Sequence, residues 1–164
     1  MTGEASSLEL DDGMATRVLI VDDEAVVRDA IGVVLSDEGY ECRTTSGAES
    51  ALDVAREVDP HLVISDIKMP GKDGLWLLDR LRRERPDTAV LMLTAYGDTE
   101  AAVECLRRGA TDYLLKPPKS TDLLRAIERA LSRRRDERAR ERYRTSLQRT
   151  VREKASDLRH ALVE

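Results

Sequence analysis

Five polar residues stand at the ends of short apolar runs: Asp22 and Asp23 after Arg17 to Val21, Asp66 after Leu62 to Ser65, Thr94 closing Ala89 to Thr94, and Lys116 after Asp112 to Leu115. Three carboxylates brought to one place repel and raise one another's pKa unless a cation sits among them, and an all-oxygen set suits Mg²⁺ or Mn²⁺. A carboxylate at such a metal can attack a phosphoryl group, as in aspartyl-phosphate enzymes, while a hydroxyl and an ammonium hold the phosphoryl oxygens. Thr94 and Lys116 supply those two groups. Taken singly, each residue has an ordinary reading, because aspartate at a strand end often caps the next helix and threonine suits a strand. Their joint placement carries the chemistry, so everything depends on the elements that bring them together.

Those elements are legible as an alternation. The runs Arg17 to Val21, Tyr40 to Thr44, Leu62 to Ser65, Ala89 to Thr94 and Asp112 to Leu115 are predicted strands. Between them, apolar residues recur at helical spacing: Val27, Ala30, Ile31, Val34 and Leu35; Ala48, Ala51, Leu52 and Ala55; Leu75, Leu78 and Leu81; and Val103 with Leu106. Gly39, Asp59 with Pro60, Pro70 with Gly71, Pro86 and Gly109 punctuate the alternation. Strand and helix alternating five times predict an α/β fold, a (βα)5 doubly wound parallel sheet with strands 1, 3 and 4 at its centre. The alternating second run suits an edge. In such a sheet the carboxyl ends of the strands face one crevice, which gathers the five polar residues.

The last helix is predicted from Ser120, with Leu123, Leu124, Ile127, Ala130 and Leu131 on one face, and no Gly or Pro follows before Glu164. Arg133 to Arg142 is nearly all charged, and Leu147, Val151, Leu158 and Leu162 then form a sparse seam with imperfect heptads, which points to a coiled coil. The expected organisation is a disordered leader over 1–15, a domain over 16–131 and a charged helical extension over 132–164.

The motifs V-D-D-E at Val21 to Glu24, S-D-I-K-M-P-G-K-D-G at Ser65 to Gly74, L-T-A at Leu93 to Ala95 and Y-L-L-K-P at Tyr113 to Pro117 together resemble the receiver domain of bacterial two-component response regulators, the CheY-like superfamily. The resemblance runs from Arg17 to about Leu131. It implies the flavodoxin-like strand order 2-1-3-4-5. It also implies that Asp66 accepts a phosphoryl group from a sensor histidine kinase or phosphotransfer protein. Asp23 and Asp66 would bind Mg²⁺ directly, Asp22 would hold its water, and the Lys68 backbone carbonyl would complete the protein ligands. Thr94 and Lys116 would engage the phosphoryl group, Tyr113 would rotate inward behind Thr94, and Pro117 would follow a cis peptide. Lys68 and Tyr96 flank the site at positions that tune phosphoryl lifetime, and two bulky groups there predict slow autodephosphorylation. The switched face would be that of the fourth helix, fifth strand and fifth helix. It would control dimerisation or a downstream output, with the C-terminal helix as a second route to a homodimer. Receivers followed by such helices often precede an effector domain, so two versions stay open: a stand-alone regulator acting through protein contacts, or the receiver and linker helix of a longer protein.

Two other classes compete. A haloacid-dehalogenase-type phosphohydrolase uses the same nucleophile but needs a second aspartate two residues on, where this chain has Lys68. A flavodoxin-like cofactor binder is opposed by Asp22-Asp23-Glu24, which would repel an FMN phosphate. The expectation is therefore a signalling phosphoacceptor and not an enzyme acting on a separate substrate.

Composition narrows the partners. The 164 residues carry a formal net charge of −5, yet from Ser132 onward eleven Lys and Arg face six Asp and Glu. The acidic remainder repels phosphate backbones, and the basic residues of the tail are interleaved with acids. Nucleic acid is not an expected partner. No apolar run approaches the ~20 residues of a membrane span, and the acidic start does not read as a secretory signal, so a cytoplasmic address is expected. Cys42 and Cys105, like His61 and His160, are too far apart to form a disulfide framework or a metal cluster.

Overall fold

In the computed structural model, residues 14–95 and 97–163 are described. Most of the predicted leader and Tyr96 lie outside them. The elements run β1 (Arg17–Val21), α1 (Ala25–Asp37), β2 (Glu41–Thr45), α2 (Ala48–Val58), β3 (Leu62–Asp66), α3 (Gly74–Glu84), β4 (Ala89–Thr94), α4 (Thr99–Arg107), β5 (Asp112–Leu115) and α5 (Ser120–Val163). Strand β2 starts one residue later than its pattern predicted, because Tyr40 leaves the ladder and buries its ring in the core. Strand β3 takes in Asp66.

The five strands form one parallel sheet in the order β2-β1-β3-β4-β5. Strands β3 and β4 are buried throughout, as strands covered on both faces must be. Side chains alternate across the sheet. Leu19, Val21, Val63, Val90 and Met92 pack with residues of α2, α3 and α4. Val18, Ile20, Leu62, Ile64, Leu91 and Leu93 pack with Ile31 and Leu35 of α1 and with Leu123, Ala126, Ile127 and Ala130 of α5. Each such large aliphatic side chain contributes about 1.5–3 kcal/mol by leaving water.

The helices are held unequally. Leu77, Leu78 and Leu81 anchor α3 in the core. On α4 the expected face is not the buried one: Val103 and Leu106 are exposed, and Ala102 and Cys105 face the sheet. Small residues let α4 lie close but bury little area, so its two larger apolar side chains are left to solvent. Ala30 of α1 is also exposed, leaving Ile31 and Leu35 as that helix's buried residues.

The chain divides into two compact units, one ending at Leu131 and one beginning at Ser132. In the second unit the described residues are helical up to Val163, and none with a described side chain is buried. Arg133–Glu137 and Glu141–Arg144 ion pairs follow helical spacing there.

Candidate functional site at the carboxyl ends of the strands

Sheet register lines up the polar strand ends. Val21 pairs with Ser65, Asp66 with Leu93, and Thr94 with Leu115. Backbone bonds extend the ladder past the strands: the Asp22 amide donates to Thr45 O, that of Ile67 to Leu93 O, and that of Lys116 to Thr94 O, at 3.2, 3.1 and 2.8 Å. Asp22, Asp66, Thr94 and Lys116 are therefore carried to one edge by the stiffest part of the molecule.

Asp22, Asp23, Glu24 and Asp66 each offer a carboxylate oxygen, and these oxygens lie within 4.8 Å of one another. Lys116 reaches into the group. Its Nζ donates to Asp66 Oδ2 at 2.9 Å and to Glu24 Oε1 at 3.4 Å, and it lies 2.7 Å from Asp22 Oδ2. Asp22 Oδ2 is buried without a well-directed hydrogen bond, so its contact with the ammonium is a charge contact. Its other oxygen accepts from the Glu24 amide at 2.9 Å. The Lys116–Pro117 peptide is cis.

The electrostatics follow from this geometry. Burial pushes the Asp66 carboxyl above its ordinary value; Lys116 opposes that shift and the neighbouring Asp22 adds to it. Burial works against the Lys116 ammonium, yet its close contacts with the Asp22 and Asp66 carboxylates hold its pKa above that of an ordinary lysine. The lysine is thus locked in its charged form. A buried Asp22 oxygen lacking a directed donor, set among hard carboxylate ligands, fits a small divalent cation.

Thr94 is buried and turns its hydroxyl to Ala95 O at 3.4 Å, not toward Asp66. It lines a cavity of about 190 Å³ with Asp66, Lys68 and Lys116, and a second of about 300 Å³ with Tyr113 and Ala102. The threonine stands between the acidic site and the half-buried tyrosine. The Lys68 amide donates to Asp66 Oδ1 at 3.3 Å, and its side chain pairs with Asp98.

Two residues exceed their sequence reading. Glu24 joins the carboxylate cluster, and its place directly after Asp22-Asp23 is the signal in the sequence. Asp73 caps α3 by accepting the Trp76 amide at 3.0 Å. Gly74, however, also packs against the acceptor loop, where a Cβ would overlap the Asp66 carbonyl oxygen. The remaining candidates are structural: buried His61 accepts the Arg17 amide on Nδ1 at 3.0 Å, and Cys42 and Cys105 are free thiols.

A five-stranded parallel sheet with aspartates and a cis-proline-linked lysine at its carboxyl edge is the plan of a receiver domain. The family model described as the response regulator receiver domain matches residues 18–128, and the chain belongs to that family. It is 43% identical to the response regulator protein FleR of Pseudomonas aeruginosa over 116 residues, which are 71% of this chain and 24% of that protein. It is 41% identical over 120 residues to the nitrogen assimilation regulatory protein NtrX of Azorhizobium caulinodans, covering 72% of this chain and 26% of that one. The crystal structure of the receiver domain of NtrX from Brucella abortus superposes with a TM-score of 0.68 at 44% identity, covering 70% of this chain and 98% of that one. The chain spans about a quarter of the length of these curated relatives. Among the described residues no helix is long and apolar enough to cross a membrane.

Proposed function

We propose that this receiver takes a phosphoryl group on Asp66 from the phosphohistidine of a sensor kinase or phosphotransfer protein. The observation that carries the reading is Lys116 Nζ, hydrogen-bonded to Asp66 and in charge contact with Asp22 inside a cluster of four carboxylates. An Asp66 oxygen attacks phosphorus and the P–N bond breaks. The imidazole nitrogen leaves with the electron pair and takes up a proton, and an acyl phosphate remains. Asp23, Asp66 and the Lys68 carbonyl would hold Mg²⁺, with Asp22 on its water, and the ion would neutralise charge on the transferring group. Lys116 and the Thr94 hydroxyl take the phosphoryl oxygens. The modified site has more charge and more acceptors than the carboxylate it replaces, and drawing Thr94 in satisfies them. Tyr113 then follows into the cavity behind it.

The hydrolase alternative is weaker, because the position two residues after Asp66 holds Lys68, whose ammonium is paired with Asp98. For output, the exposed seam of Leu147, Val151, Leu158 and Leu162 supports pairing of two copies of the chain through the C-terminal helix. A cytoplasmic address is part of the same proposal.

The test is incubation with acetyl phosphate and Mg²⁺, read by intact mass. Wild type gains one phosphate and loses it on hydroxylamine treatment. Asp66→Asn gains none. Phosphate on Asp66→Asn, or none on wild type, overturns the reading.

A further inference from the structure

One side-chain contact crosses the mouth of the Asp66 cavity in the unmodified protein. Lys68 Nζ lies 3.2 Å from Asp98 Oδ1 and 3.1 Å from Oδ2. Both residues line the cavity with Asp66, Thr94 and Lys116. Asp98 is also the N-cap residue of α4, and an aspartate there ordinarily accepts a hydrogen bond from the second or third amide of the helix. It makes no such bond. Asp73 at the head of α3 shows the ordinary arrangement, with an extended backbone (φ −99°, ψ −175°) and the Trp76 amide on its carboxylate. Asp98 has a bent backbone (φ −92°, ψ 46°), and its carboxylate is turned to the lysine instead.

One carboxylate thus has two claimants: the ammonium across the cavity and the open amides of α4's first turn. The two engagements are close in strength. Lys68 is 72% exposed, and an ion pair in that much water is a several-fold effect at most; a helix cap is of similar size. Helix α4, which buries only Ala102 and Cys105, has little core contact to hold it against either outcome.

We propose that the Lys68–Asp98 pair is a latch and that its release caps α4. In the unmodified protein the ammonium holds the carboxylate. A phosphoryl group on Asp66 brings new negative charge into the shared cavity and claims the ammonium. The freed carboxylate then turns to the amides of Glu100 and Ala101 and stiffens the start of α4. Asp98 is in this sense a positioning residue, coupling the acceptor site to a helix that carries two exposed apolar side chains, Val103 and Leu106. The trigger rests on phosphorylation of Asp66; the competition for Asp98 does not.

Hydrogen exchange of the Glu100 and Ala101 amides in the full chain tests both halves. Without phosphodonor, Lys68→Met is expected to raise their protection about fivefold, the effect of one cap, and the gain is expected to vanish in Lys68→Met/Asp98→Ala. Unchanged protection in Lys68→Met, or a gain that survives in the double variant, overturns the latch. With acetyl phosphate and Mg²⁺, wild type is expected to acquire the same gain, and Lys68→Met little more. Intact mass reads phosphorylation separately. A chain that never gains phosphate removes the trigger and the Asp66 reading together, while the unmodified variants still decide the latch. A chain that gains phosphate with no added protection at Glu100 and Ala101 overturns the coupling alone.

Discussion

The receiver body up to Leu131 and the helical stretch from Ser132 depart from the inside–outside rule in opposite directions. The body buries Asp22, Asp66 and Thr94 at one edge of its sheet, against Ile67 and Leu93, which are also buried. The C-terminal stretch leaves Tyr143, Leu147, Val151, Leu158 and Leu162 in water. A buried carboxylate and a recurring exposed apolar seam are the two informative exceptions, because each raises the free energy of the isolated molecule. A cation or chemistry on Asp66 would relieve the carboxylates, and another surface would relieve the seam. The helix beneath the seam is supported meanwhile by Ala, Arg, Glu and Leu, which are good helix formers, and by local ion pairs.

The largest expected effect separates the two regions directly. Ile64→Ala in β3 should lower the unfolding free energy by about 3 kcal/mol, since Ile64 is fully buried and its neighbours cannot collapse around the space. Leu158→Glu should leave the main urea transition within about 0.5 kcal/mol while reducing the mass seen by light scattering, as expected if the seam pairs two copies. A body destabilised by Leu158→Glu would break the comparison.

Gly74→Ala comes next. Its Cβ would meet the Asp66 carbonyl oxygen and, at 2.8 Å, Ile67 Cα, both backbone atoms that must move. The expected loss is about 1–3 kcal/mol, with slower labelling of Asp66 by acetyl phosphate because the acceptor's own loop is displaced.

Asp66→Asn should act in the opposite direction. Burial raises the Asp66 pKa, so the folded state holds its proton more tightly than the unfolded chain and disfavours the ionised form. The resulting penalty is present at neutral pH and fades as pH falls through the raised value. Without Mg²⁺, Asp66→Asn should therefore melt above wild type at pH 7, and the gap should close on acidification. A gap that widens toward low pH would show that Lys116, not burial, governs the carboxyl.

The smallest effect is kinetic. The Cys105 thiol is fully buried and its pKa is pushed up to about 11, so it should resist a thiol reagent until the body unfolds. Half-buried Cys42 on edge strand β2 should react first, although burial raises its pKa as well. Equal rates under native conditions would mean that α4 opens readily.

Much of this was readable in the chain. The apolar runs of β1, β3 and β4 are too short for helices of ordinary length, and Asp22, Asp66 and Thr94 stand at their ends, with Lys116 just after β5. Strand period and parallel pairing then bring them to one edge with no further information. The buried face of α4 is hidden in the sequence because Val103 and Leu106 are the larger apolar residues, while the space under the helix admits only Ala102 and Cys105. Glu24 and Asp98 are hidden for a related reason: an acidic residue near a loop or a helix start has an ordinary solvated reading, and nothing local says which lysine lies across from it.

The sequence by itself determined the alternation of strand and helix, the sheet edge at which the reactive groups meet, and the chemical kinds of those groups, because periodicity and residue type are properties of short stretches. Tertiary structure alone decided which carboxylates share Lys116, that Lys68 reaches Asp98, and which side of α4 meets the sheet. Those contacts join residues as far apart as Glu24 and Lys116, and their distances are set by how five separately legible elements pack.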